Sequence, residues 1–160
     1  MHRSSQPEFL YFEDFHPGQV FALGTRTVRA DEMMAFAREF DPQPQHIDPE
    51  TAKHSMLGGL AASGWYLCAF AMRMIVDGLF NRSASRGSPG VEEIQWRRPV
   101  LAGDALRGDC EVLETRPSSN PDRGFVRMRF GLWRRNATGT DERVMMFTCS
   151  VIFGRRPAPV

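Results

Sequence analysis

Asp41 and His46, with Pro-Gln-Pro-Gln between them, bring a carboxylate and an imidazole within four intervening residues. Such a pair exchanges protons near neutral pH when both groups reach one water or one substrate atom. Pro42 and Pro44 stiffen the segment and favour a shaped site. Each residue also has a structural reading: Asp41 can end a helix or bond its loop, and His46 can be a hydrogen-bonded core histidine. Ser63-Gly64 adds a third element at the start of an apolar run. A glycine there lets a ligand approach N–H groups that have no intrahelical partner, where the helix dipole favours a developing oxyanion. Ser63 has no evident base nearby in sequence and reads as a cap or packing residue. Gly58 and Gly59 read as packing glycines.

The surrounding elements follow from spacing and punctuation. Asp31 is the expected cap of a helix carrying Met33, Phe36, Ala37 and Phe40 at helical spacing, which ends at Asp41 because Pro42 disfavours α geometry in the residue before it. Pro49 opens a short helix to about Lys53, capped by Asp48. The uncharged run Met56–Met72 falls short of the roughly twenty apolar residues that span a bilayer, and Arg73 and Asp77 close it. It reads as a buried helix from Leu60 to Phe80, apolar around most of its circumference and therefore wrapped by other elements. A strand over 19–29, with Val20, Ala22 and Val28 facing inward and Gly24 interrupting it, precedes these helices. Alternating segments at about 91–98, 104–115, 124–135 and 142–153 follow, separated by turn residues. The layout is α+β: one antiparallel sheet curled around a long central helix. Residues 1–160 read as a single domain, with 1–18 a lead-in packing over it and 155–160 a frayed tail.

A formal net charge of +1 and basic residues scattered except for pairs such as Arg97-Arg98 and Arg134-Arg135 give nucleic acid little reason to bind. Cys68, Cys110 and Cys149 lack zinc-site spacing and read as core residues of a reducing compartment. With Glu8, Glu13 and Asp14 near the start and no signal-like apolar segment, the expected location is cytoplasmic, without membrane attachment. Trp65, Trp96 and Trp133 read as core or interface aromatics, and Met72, Met74, Met145 and Met146 as packing. His2, His16 and His54 read as ordinary surface or lead-in residues.

Four segments together resemble the MaoC-like dehydratase family, relatives of the (R)-specific enoyl-CoA hydratases. They are Asp41-Pro-Gln-Pro-Gln-His46-Ile-Asp-Pro, Gly58-Gly-Leu-Ala-Ala-Ser-Gly64-Trp, Gly87-Ser-Pro-Gly and Trp96-Arg-Arg-Pro-Val-Leu-Ala-Gly-Asp104. The resemblance runs from Tyr11 to Ile152. It implies a hot-dog fold, usually paired into a dimer or higher homo-oligomer in which the two sheets run on continuously. It implies that Asp41 and His46 hold the water added to, or removed from, C2–C3 of an acyl-CoA thioester, and that the Gly64 N–H polarises the thioester carbonyl. Gln43 and Ser63 belong to the same binding surface, and Arg97 or Arg98 can meet a CoA phosphate. No metal or redox cofactor is implied. The chain departs from the family in two places: Gln43-Pro44 stands where Asn-Pro is common, and Phe40 where a glycine often precedes the acid. The expected activity is lyase chemistry with Asp41 as base and His46 as acid in hydration, although the two roles can be exchanged. A hot-dog thioesterase and a non-catalytic acyl-CoA-binding subunit are the alternatives. Acyl length, the choice of CoA or carrier protein, and direction stay open.

Overall fold

The computed structural model describes residues 8–159, so His2 lies outside the described residues. Five strands form one antiparallel sheet in the order β1-β3-β4-β5-β2: β1 Val20–Thr27, β2 Val91–Trp96, β3 Ala105–Pro117, β4 Arg123–Arg135 and β5 Asp141–Gly154. Four helices lie between β1 and β2: α1 Ala30–Phe40, α2 Pro44–Ile47, α3 Pro49–Lys53 and α4 Gly64–Gly78. This is the hot-dog arrangement, with α4 cradled by the inner face of the sheet. No helix among the described residues is long and apolar enough to cross a membrane.

The core follows from the two periodicities. Along β4, Val126, Met128, Phe130 and Leu132 point inward and Arg127 and Arg129 outward. Leu67, Phe70, Ala71, Met74 and Ile75 of α4 meet this inner face. Burying one such side chain, Met128 for example, stabilises the fold by about 1.5–3 kcal/mol. Among the described residues of the lead-in, Leu10, Phe12 and Phe15 are buried against the domain, with the Phe15 and Phe153 rings 4.2 Å apart.

Several expectations need correction. Phe21 and Leu23, not Val20 and Ala22, face the core from β1, because the larger apolar pair sets which face turns inward. Gly24, at φ +83°, sits in the irregularity between Ala22 and Thr25. Asp31 lies inside α1 and pairs with Arg29 at 2.7 Å, leaving Arg29 at the cap position. The central helix begins at Gly64, not Leu60, because Ala61 is drawn into a bridge with Leu101 and Ser63 takes the cap. Its wrapping is incomplete: Trp65 and Trp96, read as core or interface aromatics, are 58 % and 45 % exposed and so are not core, and Met72, expected to pack, is 44 % exposed. Arg155 and Arg156 are not frayed; the Arg155 N–H donates to the Asp122 carbonyl, and Arg156 pairs with Asp14 at 2.7 Å.

The segment from Arg97 to Asp104, which forms one wall of the cleft described below, is tied down by Arg134. That guanidinium donates to the Pro99 carbonyl at 2.9 Å, to Asp104 at 2.7 Å and to Glu142 at 2.6 Å. Asp104 in turn accepts from the Leu101 N–H at 2.9 Å. Replacing Arg134 by alanine takes the shared cation from Asp104 and Glu142 and a donor from the Pro99 carbonyl, and the expected loss is about 2–3 kcal/mol in urea unfolding.

Candidate active site

Asp41 is the residue at which α1 stops. Its N–H still donates to Ala37, while its own φ of −149° and ψ of 65° turn the chain away. Sequence reasoning treats the residues up to His46 as a stiff loop; the structure winds Pro44–Ile47 into one helical turn with proline at its start, where the missing N–H costs nothing. Asp48 then caps α3 by accepting from the Glu50 N–H at 3.0 Å, as its spacing predicts. Two closely spaced helix starts therefore fix the orientation of His46.

His46 is buried, and its Nδ1 lies 2.7 Å from the Ala61 carbonyl oxygen. A carbonyl only accepts, so Nδ1 carries the proton, and Nε2 is the atom free to gain or lose one. Nε2 points at Asp41 Oδ2, 3.5 Å away. The same oxygen accepts from the Ser63 hydroxyl at 2.7 Å, while Oδ1 accepts from the Gln43 amide at 2.6 Å. Burial opposes ionisation of Asp41, but the bonds from Gln43 and Ser63 and the attraction of His46 outweigh it and hold the carboxyl below its ordinary value. The longer Gln43 thus delivers an amide donor to the acid, and Gln45 supports it by donating to the Gln43 oxygen at 3.0 Å.

These groups border a cleft of about 460 Å³, within the usual range for small-molecule sites. Asp41, Gln43 and His46 line it together with Gly64, Leu67, Trp96, Arg97 and Arg98. The Gly64 N–H is the first of α4 and has no intrahelical acceptor by position. Glycine is required there for a further reason: a Cβ would lie 2.6 Å from the Trp96 ring. The Trp96 indole N–H donates to the Gly64 carbonyl at 3.0 Å, and its ring meets Trp65 edge-on at 5.3 Å.

The structure brings Asp41, His46, Gln43 and Gly64 to one cleft, with Arg97 and Arg98 at its rim. Ser63 is the cap that its position predicts: it is fully buried, accepts from the Trp65 N–H at 3.3 Å, and gives its one proton to Asp41. Its part is to hold the acid rather than to meet a ligand. Arg98 lies 3.7 Å from Glu142, and Arg97 donates to Gln95 at 2.9 Å. Sequence reasoning missed the Ala61 carbonyl and the Trp96 wall. A backbone carbonyl leaves no mark in a residue string, whereas the aromatic just before Arg97-Arg98-Pro99 was a legible signal.

Comparisons with known proteins point to one family. The MaoC-like domain family matches residues 14–128. The chain is 33 % identical to the uncharacterized YdeM protein of Bacillus subtilis over 109 residues, 68 % of this chain and 77 % of that one. It is similar to the crystal structure of a MaoC-like dehydratase from Rhodospirillum rubrum, at 39 % identity and a TM-score of 0.81, covering 93 % of this chain and 99 % of the other. The (R)-hydratase PhaJ1 of Pseudomonas aeruginosa shares the fold, at 20 % identity and a TM-score of 0.67 over 95 % of this chain and 94 % of the other. An acid and an imidazole on one cleft, at the capped start of a helix inside a curled sheet, therefore sit in a chain that belongs to the MaoC-like dehydratase family.

Proposed function

We propose that the cleft catalyses reversible addition of water to C2–C3 of a 2-enoyl thioester. The observation that carries this reading is the approach of His46 Nε2 to within 3.5 Å of an ionised Asp41 oxygen beside the free N–H of Gly64. In hydration the Asp41 carboxylate takes a proton from water as the water oxygen bonds to C3. The C2–C3 π electrons move toward the thioester carbonyl, whose oxygen gathers charge against the Gly64 N–H. His46, protonated on both nitrogens, then delivers the Nε2 proton to C2. Asp41 ends protonated and His46 neutral, and one proton passing back from Asp41 to His46 resets the pair. Dehydration is the same path reversed, so both directions draw on the same proton count in the pair. The balance closes without a metal or redox cofactor.

The carrier of the acyl group presents phosphate in either of its usual forms, CoA or a phosphopantetheine arm. Of the two rim arginines, Arg98 suits that phosphate better, since Glu142 holds it only at 3.7 Å.

A second copy of the chain is the fitting cover for the exposed flank of α4 and β2. β2 is an edge strand that carries two exposed apolar residues, Val91 at 53 % and Trp96 at 45 %, and Trp65 and Met72 of α4 are exposed as well. Its sequence is self-complementary when paired antiparallel about Gln95: Glu93 falls opposite Arg97, and Ile94 opposite Trp96. That pairing extends the sheet through the edge and removes an aggregation-prone border.

Four outcomes test the proposal. With crotonyl-CoA, enone absorbance should fall without release of free thiol, and Asp41→Asn or His46→Gln should each lower kcat/KM by about 10²–10⁴-fold; thiol release instead makes the protein a thioesterase, binding without turnover makes it a binding subunit, and unchanged rates in both variants overturn the assignment of Asp41 and His46. The acid limb of kcat/KM should lie below the ordinary carboxyl value of 3.8, because activity needs the carboxylate and is lost only as pH falls through its depressed value. Ser63→Ala removes a bond that favours the carboxylate, so that limb, and the carboxyl carbon titration of Asp41 by NMR, should move to higher pH. In light scattering, Arg97→Glu should dissociate the dimer by placing Glu93 against a like charge, and the swap Glu93→Arg with Arg97→Glu should restore it.

A further inference from the structure

A second, smaller cavity of about 210 Å³ lies on the same flank of α4 as the cleft. It is lined by Met72 and Ile75 of α4, Phe147, Cys149 and Val151 of β5, and Phe80, and it is nearly devoid of polar surface. The mechanism above makes no use of it. Its position relative to the cleft follows from the strand register. On β2, Trp96 pairs with Met145 and Ile94 with Phe147, so the cleft ends at Trp96 and the second cavity begins one inward-facing residue further along, about 6.6 Å away. On α4 the same order holds: Trp96 covers Gly64, and Met72 lies eight residues further on, about 12 Å along the axis.

The Trp96 indole therefore ends the cleft on the side toward the second cavity, with Ile94 next along β2, and is locked there. Its N–H donates to the Gly64 carbonyl at 3.0 Å, its ring lies on the Gly64 Cα, and Trp65 braces it edge-on at 5.3 Å. An acyl chain whose carbonyl oxygen meets the Gly64 N–H and whose C2 and C3 face His46 and Asp41 has this ring in its way toward the apolar space along α4. We propose that Trp96 sets the acyl length, confining the site to short-chain 2-enoyl thioesters and closing off an apolar space that longer chains would otherwise fill. This rests on the thioester reading of the cleft.

The test uses saturated acyl-CoAs of increasing length, from butyryl to dodecanoyl, as binding probes, and the matching 2-enoyl-CoAs as substrates. A methylene that enters apolar space tightens binding by about fourfold, and one left in water adds nothing. In the wild type the dissociation constant should stop improving after the shortest chains. In Trp96→Leu it should fall steadily with each added methylene until the second cavity is full, and kcat/KM for 2-dodecenoyl-CoA should rise at least tenfold relative to crotonyl-CoA. Trp96→Phe, which keeps a ring on Gly64, should retain the wild-type preference. A wild type that binds dodecanoyl-CoA progressively tighter than butyryl-CoA overturns the proposal, as does a Trp96→Leu protein that weakens equally toward every length, which would make the indole only a prop for Gly64. The binding series decides the matter even if no probe is turned over, a result that would sink the lyase reading alone.

Discussion

One buried hydroxyl ties the chemistry to the core. The Ser63 oxygen accepts from the Trp65 N–H and so belongs to the first turn of α4, while its proton goes to Asp41, the last turn of α1. A serine hydroxyl has a single proton, so this arrangement is fully committed. The acid is thereby set against a helix that the sheet grips along Leu67, Phe70, Met74 and Ile75. A carboxylate on a surface loop would sample many rotamers; this one inherits the rigidity of a close-packed interior.

The opposite wall is held by comparable means. The Ala62 N–H donates to the Val100 carbonyl at 2.8 Å, and Ala61 bridges to Leu101 while its carbonyl faces His46. The short Ala61-Ala62 segment therefore joins the histidine side of the cleft to the arginine side. Arg134 secures the latter from outside, with two carboxylates around a guanidinium that is only about one-fifth exposed. Tyr66 adds a link on the far side of α4: its hydroxyl donates to Glu32 at 3.3 Å, and burial together with that negative neighbour pushes its pKa up to about 12. It thus stays a neutral donor at any ordinary pH.

The flank of α4 along which Trp65, Cys68 and Met72 lie is where the single chain stops short of a closed core. Most of the described large apolar side chains are inside, so an exposed band that continues onto an unpaired strand edge is informative rather than incidental. The same band runs beside both cavities. Trp65 and Trp96 line the cleft and Met72 lines the second cavity, so Trp96 belongs both to the exposed band and to the cleft.

The sequence by itself carried the elements and their order. Strand alternation, the prolines at Pro42 and Pro49 and the cap at Asp48 are local preferences, and the structure places those features where spacing put them. The motif from Asp41 to His46 and the Ser63-Gly64 step were legible because residue type and separation restrict what such segments can do. Three things were decided only by tertiary contacts. Which face of β1 turned inward depended on competition between Phe21 and Val20 for the core. The start of α4 depended on Ala61 being captured by Leu101, a partner forty residues away. The roles of Ser63 and Trp96 depended on which neighbours arrived beside them: a hydroxyl can bond a ligand or a carboxylate, and an indole can fill a core or wall a cleft. Such side chains have several satisfactory partners, and only the folded chain selects one.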